Sequence, residues 1–582
     1  MANIFGILHT GVSGLYVAQS GIDVTGHNIA NLNTEGYSRQ RVIITTESPL
    51  NVHPGPFGRG AKLDAVVRTY DDVLAKTLRN ETSSFNYWDN LKTSMDNIKI
   101  YFNELESGSG LGDDLKEYFN AWSDLSNTAP DNSDESYVKR RTLIEKATTL
   151  TMKIRESYNN LEGIRRQNDQ NIKTKIEKIN DLAKNIAFLN YQIAKSESGG
   201  DIANDLRDKR DKLLDDLSKE VNFVSSEQSN GQISVFIGGI AIVDSSESNK
   251  LYAVENPKNN DHFDIYWGSG GIDKPQVNIT DKIIGGSIYG EIKTRDSYIG
   301  KYTAQLNELA STLIVSTNQL HSIGQGLKRF DQISSNNGVI NPSYKFNEDS
   351  GKFNYPINKG TFRIALYNSN NQVENYYDID VDPEKDSLNS IILKISSADA
   401  DPSGGKIQAF LSENNTIKIT VAEGYTFTFK EDTSNFLVAS GLNSFFKGTS
   451  AKDIDLSSLV KDDSGFIATS LTGEPGDNQN ALNISNIKYK PLSNNVTIDE
   501  FYTTFVSLIG SDKAQVDTFY DTKKNVVQEL KLKLDQIQGV SMDEEYTNLI
   551  KFQKAYEANA RFITAVDQMI DKLINGTGLA GR

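Results

Sequence analysis

Apolar residues recur at alternating intervals of three and four through much of this chain, and the most regular run is the last one. Over residues 541–575, Leu549, Tyr556, Ile563 and Ile570 stand seven apart, and Phe552, Val566 and Leu573 follow three of them by three places. Neither Pro nor Gly interrupts the run before Gly576. A sustained repeat of this kind predicts a helix that needs a helical partner, about 50 Å long at 1.5 Å per residue. The head of the chain carries the same pattern: Leu8, Leu15, Ile22 and Ile29 are seven apart, with Ile4, Ala18 and Leu32 beside them. Two such rows at opposite ends predict that the ends pair and that leftover apolar surface meets other subunits. A core helix pair inside an ordinary globule fits the same periodicity.

Between the ends the period changes. Gly and Ser dilute the first helix, over 3–32, and lower its intrinsic stability, so it is expected to form poorly until packed. Asn28, Asn31, Asn33, Thr34 and Gly36 then supply turn chemistry ahead of Tyr37. Residues 41–46 read as a strand and 53–60 (HPGPFGRG) as a loop. Helical periods return over 71–105, 115–125, 133–195 and 202–220, broken by 107–112 (SGSGLG) and 198–200. Residues 221–290 alternate with period two, as strands and hairpins do. Residues 291–323 are helical, with Leu306, Leu309, Leu313 and Leu320 on one face. Residues 327–495 are again strand-like apart from a helical piece near 386–397, and 497–537 form another long helix.

The fold predicted is therefore α+β, elongated and multidomain. Terminal coiled-coil helices (1–50 with 541–582) sit on a long helical bundle stem (51–220 with 291–326 and 497–540). A β-rich module takes 221–290 with part of 327–495, and the remainder of 327–495 is left for a second, outer β-rich module.

Composition narrows the chemistry. The 582 residues are 37% hydrophobic and 24% charged, which is globular. A net charge of -16 argues against nucleic-acid binding through phosphates. The absence of cysteine removes disulfides, thiolate nucleophiles and Cys zinc sites, and suits a chain working outside the cell. The first Lys or Arg is Arg39, so no Sec-type signal peptide is expected, and no run of about 18 apolar residues predicts a membrane span. The five histidines, His9, His27, His53, His262 and His321, are scattered and read as structural or solvated. The Asp378-x-Asp380-x-Asp382 run lacks the Gly and final Glu of a calcium loop and reads as a solvated strand end. Gly108-x-Gly110-x-Gly112 follows no strand and lacks the third Gly of a dinucleotide fingerprint. No catalytic residue, cofactor site or metal site is predicted, and the chain is read as a non-enzyme.

Two terminal motifs carry a family resemblance. The stretch Asn28-Ile29-Ala30-Asn31-x-Asn33-Thr34-x-Gly36-Tyr37 resembles the N-terminal signature of bacterial flagellar axial proteins. Glu544-Glu545 with Leu549-Ile550, Gln553, Ala555-Tyr556 and Ala558-Asn559-Ala560 resembles their C-terminal signature. In the interior, Ser38-Arg39-Gln40, residues 204–211 (NDLRDKRD), Gly285-Gly286-Ser287-Ile288 and residues 441–446 (GLNSFF) are similar to the flagellar hook-associated protein 1 family.

That resemblance implies a structural ring joining hook to filament, on which filament assembly depends. Its implied partners are other copies of the chain, the hook protein, the second hook–filament junction protein and a cytoplasmic export chaperone, with no nucleic acid and no membrane insertion. The implied location is extracellular, in the flagellum at the hook–filament junction, after export by the flagellar type III apparatus. Assembly residues would be Leu8, Leu15, Ile22, Ile29, Asn28, Asn31, Asn33, Thr34, Gly36 and Tyr37. Leu549, Phe552, Tyr556, Ile563, Val566, Ile570 and Leu573 would serve assembly and the chaperone. A hook or distal-rod subunit, or a secreted protein with an enzymatic or adhesive outer module, are the other readings.

Overall fold

The computed structural model describes the chain apart from residues 1–3, 53–54, 103–109, 129–130, 132, 270, 272–273, 400–404, 492–494 and 578–582. In chain order its principal helices are α1 (Ile4–Ala30), α2 (Asp72–Tyr101), α3 (Leu111–Ser126), α4 (Asp134–Glu197), α5 (Asn204–Glu220), α6 (Gly286–Lys293), α7 (Ile299–His321), α8 (Leu388–Ser397), α9 (Phe436–Ser440), α10 (Ser458–Asp462), α11 (Gln479–Ser485), α12 (Ile498–Gln538) and α13 (Met542–Thr577). The α+β reading holds, and the long helical periods match helices of the same span to within a few residues.

Two compact units divide the chain. The first takes residues 1–94, 167–294 and 514–582. Its strands begin with an antiparallel pair, β1 (Gln40–Thr46) and β4 (Ala61–Arg68), and a short hairpin of β2 (Leu50–Val52) and β3 (Gly55–Phe57). A four-stranded antiparallel sheet runs β5 (Val224–Glu227), β6 (Ile233–Ile237), β7 (Ile240–Asp244), β8 (Glu247–Ser248), and a three-stranded one joins β9 (Lys250–Asn256), β10 (His262–Gly268) and β11 (Val277–Asn278). One face of α4 closes these strands: Ile172, Ile176, Ile179, Leu182 and Ile186 pack with Leu214 and Leu217 of α5 and with Val235, Ile237, Ile242, Leu251 and Ile265. Each such side chain buried contributes about 1.5–3 kcal/mol. Two asparagines on α4 act as strand partners. Asn180 exchanges hydrogen bonds of 2.8 Å with both the N–H and the C=O of Leu251. Asn190 receives the N–H of Ile233 and donates to the carbonyls of Ile233 and Ser245.

The second unit takes residues 95–166 and 295–513. Its two larger sheets, both antiparallel, are β12 (Gln332–Ser334), β16 (Thr416–Val421), β15 (Ile407–Ser412) and β14 (Val373–Val381), β13 (Gly360–Tyr367), β17 (Thr426–Asp432), each given in spatial order. Aromatics fill its core: Phe362 stacks on Phe436 at 5.1 Å, and Trp122 of α3 meets Phe445 at 5.2 Å. Buried Asn443 donates to the carbonyls of His321, Ser322 and Gly324, which closes the C-terminal end of α7. His321 is fully buried and neutral: its Nδ1 lies 2.8 Å from the Asn443 carbonyl and its Nε2 accepts the Ala468 N–H.

Three expectations change. Within the predicted 53–60 loop, Gly55–Phe57 forms β3, paired to β2 just before the loop by backbone bonds that leave no side-chain period to read. The 327–495 stretch contains the short helices α9, α10 and α11 beside its strands. Each is under two turns, too brief for a 3.6-residue period to register. The described strands in turn stop at Asn278, short of residue 290, and a 3-10 turn over Thr280–Lys282 and then α6 take over. Leu105, His53 and residues 107–109 lie outside the described residues.

Candidate functional site: the pairing of the chain termini

The two ends of the chain pair, α1 against α13, and the contact is made by small residues. The fully buried positions of α1 are Gly11, Val17, Ala18, Gly21, Thr25 and Asn28. A Cβ on Gly14 would lie 2.4 Å from the Asn559 amide oxygen, and one on Gly21 would lie 2.5 Å from the Phe552 ring. The glycines that weaken α1 as an isolated helix are thus what let α13 approach it. Leu8, Leu15, Ile22 and Ile29 flank this contact, half-buried, rather than forming its centre.

On α13, Val566 is buried and Leu549, Phe552, Ile563 and Ile570 are half-buried. Tyr556 and Leu573 are exposed, unlike the other members of the predicted rows. Asn559, three places after Tyr556 on the row of Phe552 and Val566, is seated against Gly14.

Beyond α1 the signature turns residue by residue. Thr34 donates through its backbone to the Asn31 carbonyl and through its hydroxyl to the Asn31 side chain at 3.1 Å. Asn31 donates back to the His27 carbonyl, closing α1, and Gly36 adopts a left-handed φ of 84°. Asn33 is exposed. Tyr37 is half-buried; its hydroxyl donates to Asn28 Oδ1 at 2.7 Å and lies 3.1 Å from His27 Nδ1. Burial first, then the charges of Asp205, Asp208 and Glu545, push the Tyr37 phenol well above its ordinary value, so it stays a donor.

Asn28 is the hub. Its amide oxygen also accepts the Gln40 N–H at 2.9 Å, and its amide nitrogen donates to the Gln40 carbonyl and to Glu545 Oε2 at 3.0 Å. Glu545, in the first turn of α13, is buried; Arg39 reaches it through Nε at 2.8 Å and also bonds Glu544 at 2.6 Å. The Arg39 N–H donates to the Gln538 carbonyl at the end of α12. On the other side, Asp208 of α5 accepts the Ser38 N–H at 2.9 Å and Arg68 at 2.8 Å, and Gln40 donates to Asp205. Burial pushes the Asp208 carboxyl up, against those two donors. The turn after α1 therefore ties the α12–α13 joint to α5. Asn28 and the turn residues are legible as a motif. The pairing of Arg39 with Glu545, and of Ser38 with Asp208, is not, because carboxylates are abundant throughout the chain.

The α1–α13 pair leaves apolar side chains facing outward. Phe5, Val12 and Tyr16 of α1 are exposed, as are Ile550, Phe562, Met569 and Leu573 of α13. No helix among the described residues is long and apolar enough to cross a membrane.

The two paired ends are similar in sequence to the terminal segments of bacterial flagellar proteins. Residues 8–37 match the flagella basal body rod protein model, and residues 536–576 match the flagellar basal body rod FlgEFG protein C-terminal model. Residues 95–333 match the flagellar hook-associated protein FlgK helical domain. Over its whole length the chain is similar to the flagellar hook-associated protein 1 family. It is 25% identical over 592 residues to flagellar hook-associated protein 1 of Escherichia coli strain K12, covering 98% of this chain and 99% of that one. It is 25% identical over 602 residues to the Bacillus subtilis strain 168 protein of the same name, covering both chains fully. In fold it is similar to the flagellar hook junction protein FlgK from Burkholderia pseudomallei, with a TM-score of 0.53 at 15% identity, over 80% of this chain and all of that one. Its role is structural, as a component of the flagellum.

Proposed function

We propose that this chain forms the ring of copies between hook and filament, and that its termini drive the assembly. The supporting observation is the outward apolar surface of the α1–α13 pair, which a solitary chain leaves in water. Burial against neighbouring copies contributes about 25 cal/mol per Å², and coupling that burial to ordering of the ends confines assembly to the growing tip. The hook protein and the second junction protein are the neighbours below and above. The chain leaves the cell through the flagellar type III apparatus, and a cytoplasmic chaperone covers the apolar face of residues 541–575 until then. It performs no catalysis. The residues assigned to assembly are those of the two helix rows and of the turn from Asn28 to Tyr37.

Tyr556 separates assembly from internal packing, because it is 40% exposed in the solitary chain. Tyr556→Asp is expected to keep the melting temperature of the purified chain and to abolish its incorporation into flagella. Immunodetection on isolated flagella reads the outcome; normal filaments carrying the variant would refute this assignment. Chaperone capture is checked by a pull-down with residues 541–582 removed, which is expected to lose the chaperone.

A further inference from the structure

The geometry points to a second contact between copies, outside the termini, made by the exposed face of α4. At 184, 188, 191 and 195, spaced 4, 3 and 4, stand Lys184, Phe188, Tyr191 and Lys195, which places them on one helical face. Phe188 is 58% exposed and Tyr191 55%, while the neighbouring Ile186 and Ile193 are fully buried. Both lysines are exposed, and neither pairs with a carboxylate among the described residues. Two large aromatics on an otherwise polar face, framed by unpaired cations, have the composition of a contact surface: aromatic centre, charged rim.

Earlier on the same helix a second face has the opposite sign. Glu135, Val138, Thr142, Glu145, Thr149 and Met152 follow the 3, 4, 3, 4, 3 spacing. Val138 is 60% exposed and Met152 57%. Glu135 and Glu145 are exposed and unpaired among the described residues. The flanking Lys139 and Lys146 are drawn sideways to Asp124 and Glu117 of α3, and Arg141 stands at the edge of the face.

The occupant of the basic aromatic face is a second copy of this chain, through this acidic apolar face. Charge and apolar complementarity select it: the aromatics meet Val138 and Met152, and each lysine meets a glutamate. Two different surfaces on one chain make a heterologous contact, which propagates from copy to copy and closes into a ring when the rotation allows. This inference rests on the proposed ring of copies and names a lateral surface of it.

Zero-length carbodiimide coupling on isolated flagella tests it. An amide forms between lysine Nζ and a glutamate carboxyl, and the carboxyl oxygen leaves on the urea. The expected product is a ladder of dimers, trimers and larger species of this chain, with linked peptides joining Lys184 or Lys195 to Glu135 or Glu145. Lys184→Glu with Lys195→Glu is expected to reduce the ladder at least tenfold. Adding Glu135→Lys with Glu145→Lys to the same chain is expected to restore it. A single dimer band, links mapping elsewhere, links to a different protein, or a ladder unchanged by charge reversal would each overturn the inference. Immunodetection in the same flagella separates the two readings. Chain present without these links overturns the lateral contact alone; chain absent from wild-type flagella overturns the ring as well.

Discussion

Asn28 uses both ends of one amide to hold four groups, and one of them, the Glu545 carboxylate, lies on a segment far away in sequence. The side chains that meet there become costly when one is removed, because Glu545 is buried and Arg39 is its cation. Arg39→Ala is expected to destabilise the α12–α13 joint by about 2–4 kcal/mol, the penalty of a buried charge left unpaired. Faster amide hydrogen exchange over residues 541–560, with exchange in α7 unchanged, is the measurement. Gly14→Val acts at the helix contact itself. Its side chain would enter the space of Asn559, and the α1–α13 pair is expected to lose about 1–3 kcal/mol, seen as faster exchange in both helices. The sequence presents these glycines as a weakness of α1. Only their partner α13 reveals them as the contact.

Among the elements, α4 reads most directly from sequence, since its apolar row, with Arg165, Asn168 and Lys175 as polar members, packs over Ile172–Ile186 as its period predicts. Its polar members were silent. Asn190 looks like any helical asparagine, yet it is fully buried and bonds Ile233, the first residue of β6. Asn190→Leu is expected to cost about 2–3 kcal/mol, by leaving the Ile233 N–H and C=O unsatisfied, measured by urea unfolding. The α7 end offers a pH test. Burial pulls the His321 pKa down to about 4, from an ordinary value near 6.5. Folded His321 stays neutral while the unfolded chain takes up a proton below pH 6.5, so stability is full above that value and falls as pH drops toward 4. The loss at pH 4 is on the order of 3 kcal/mol for this one group. The difference in pH dependence between the natural chain and His321→Gln isolates it from the carboxylates, which titrate in the same range.

At the scale of the whole molecule, the ring proposal predicts a phenotype. Cells lacking this chain are expected to carry hooks without filaments and to release unpolymerised flagellin, seen by negative-stain microscopy and in the culture medium. It also predicts that the ends are settled only in the assembly. Amides of α1 and α13 are expected to exchange faster than those of the α4 core in the purified chain, and to become protected in isolated flagella. Full protection of both ends in the solitary chain would remove the coupling of ordering to assembly.

The sequence by itself determined the long helices, the insertion of β structure between them, the two terminal rows and the family signatures, because periodicity and local motifs are properties of neighbouring residues. Tertiary structure alone decided which members of those rows touch. It placed Gly14 and Gly21 at the terminal contact and left Tyr556 exposed, joined Arg39 to Glu545, and gave Asn190 and His321 their partners. Those choices depend on residues tens to hundreds of positions apart, where burial selects one pairing from many carboxylates, amides and arginines that look alike along the chain.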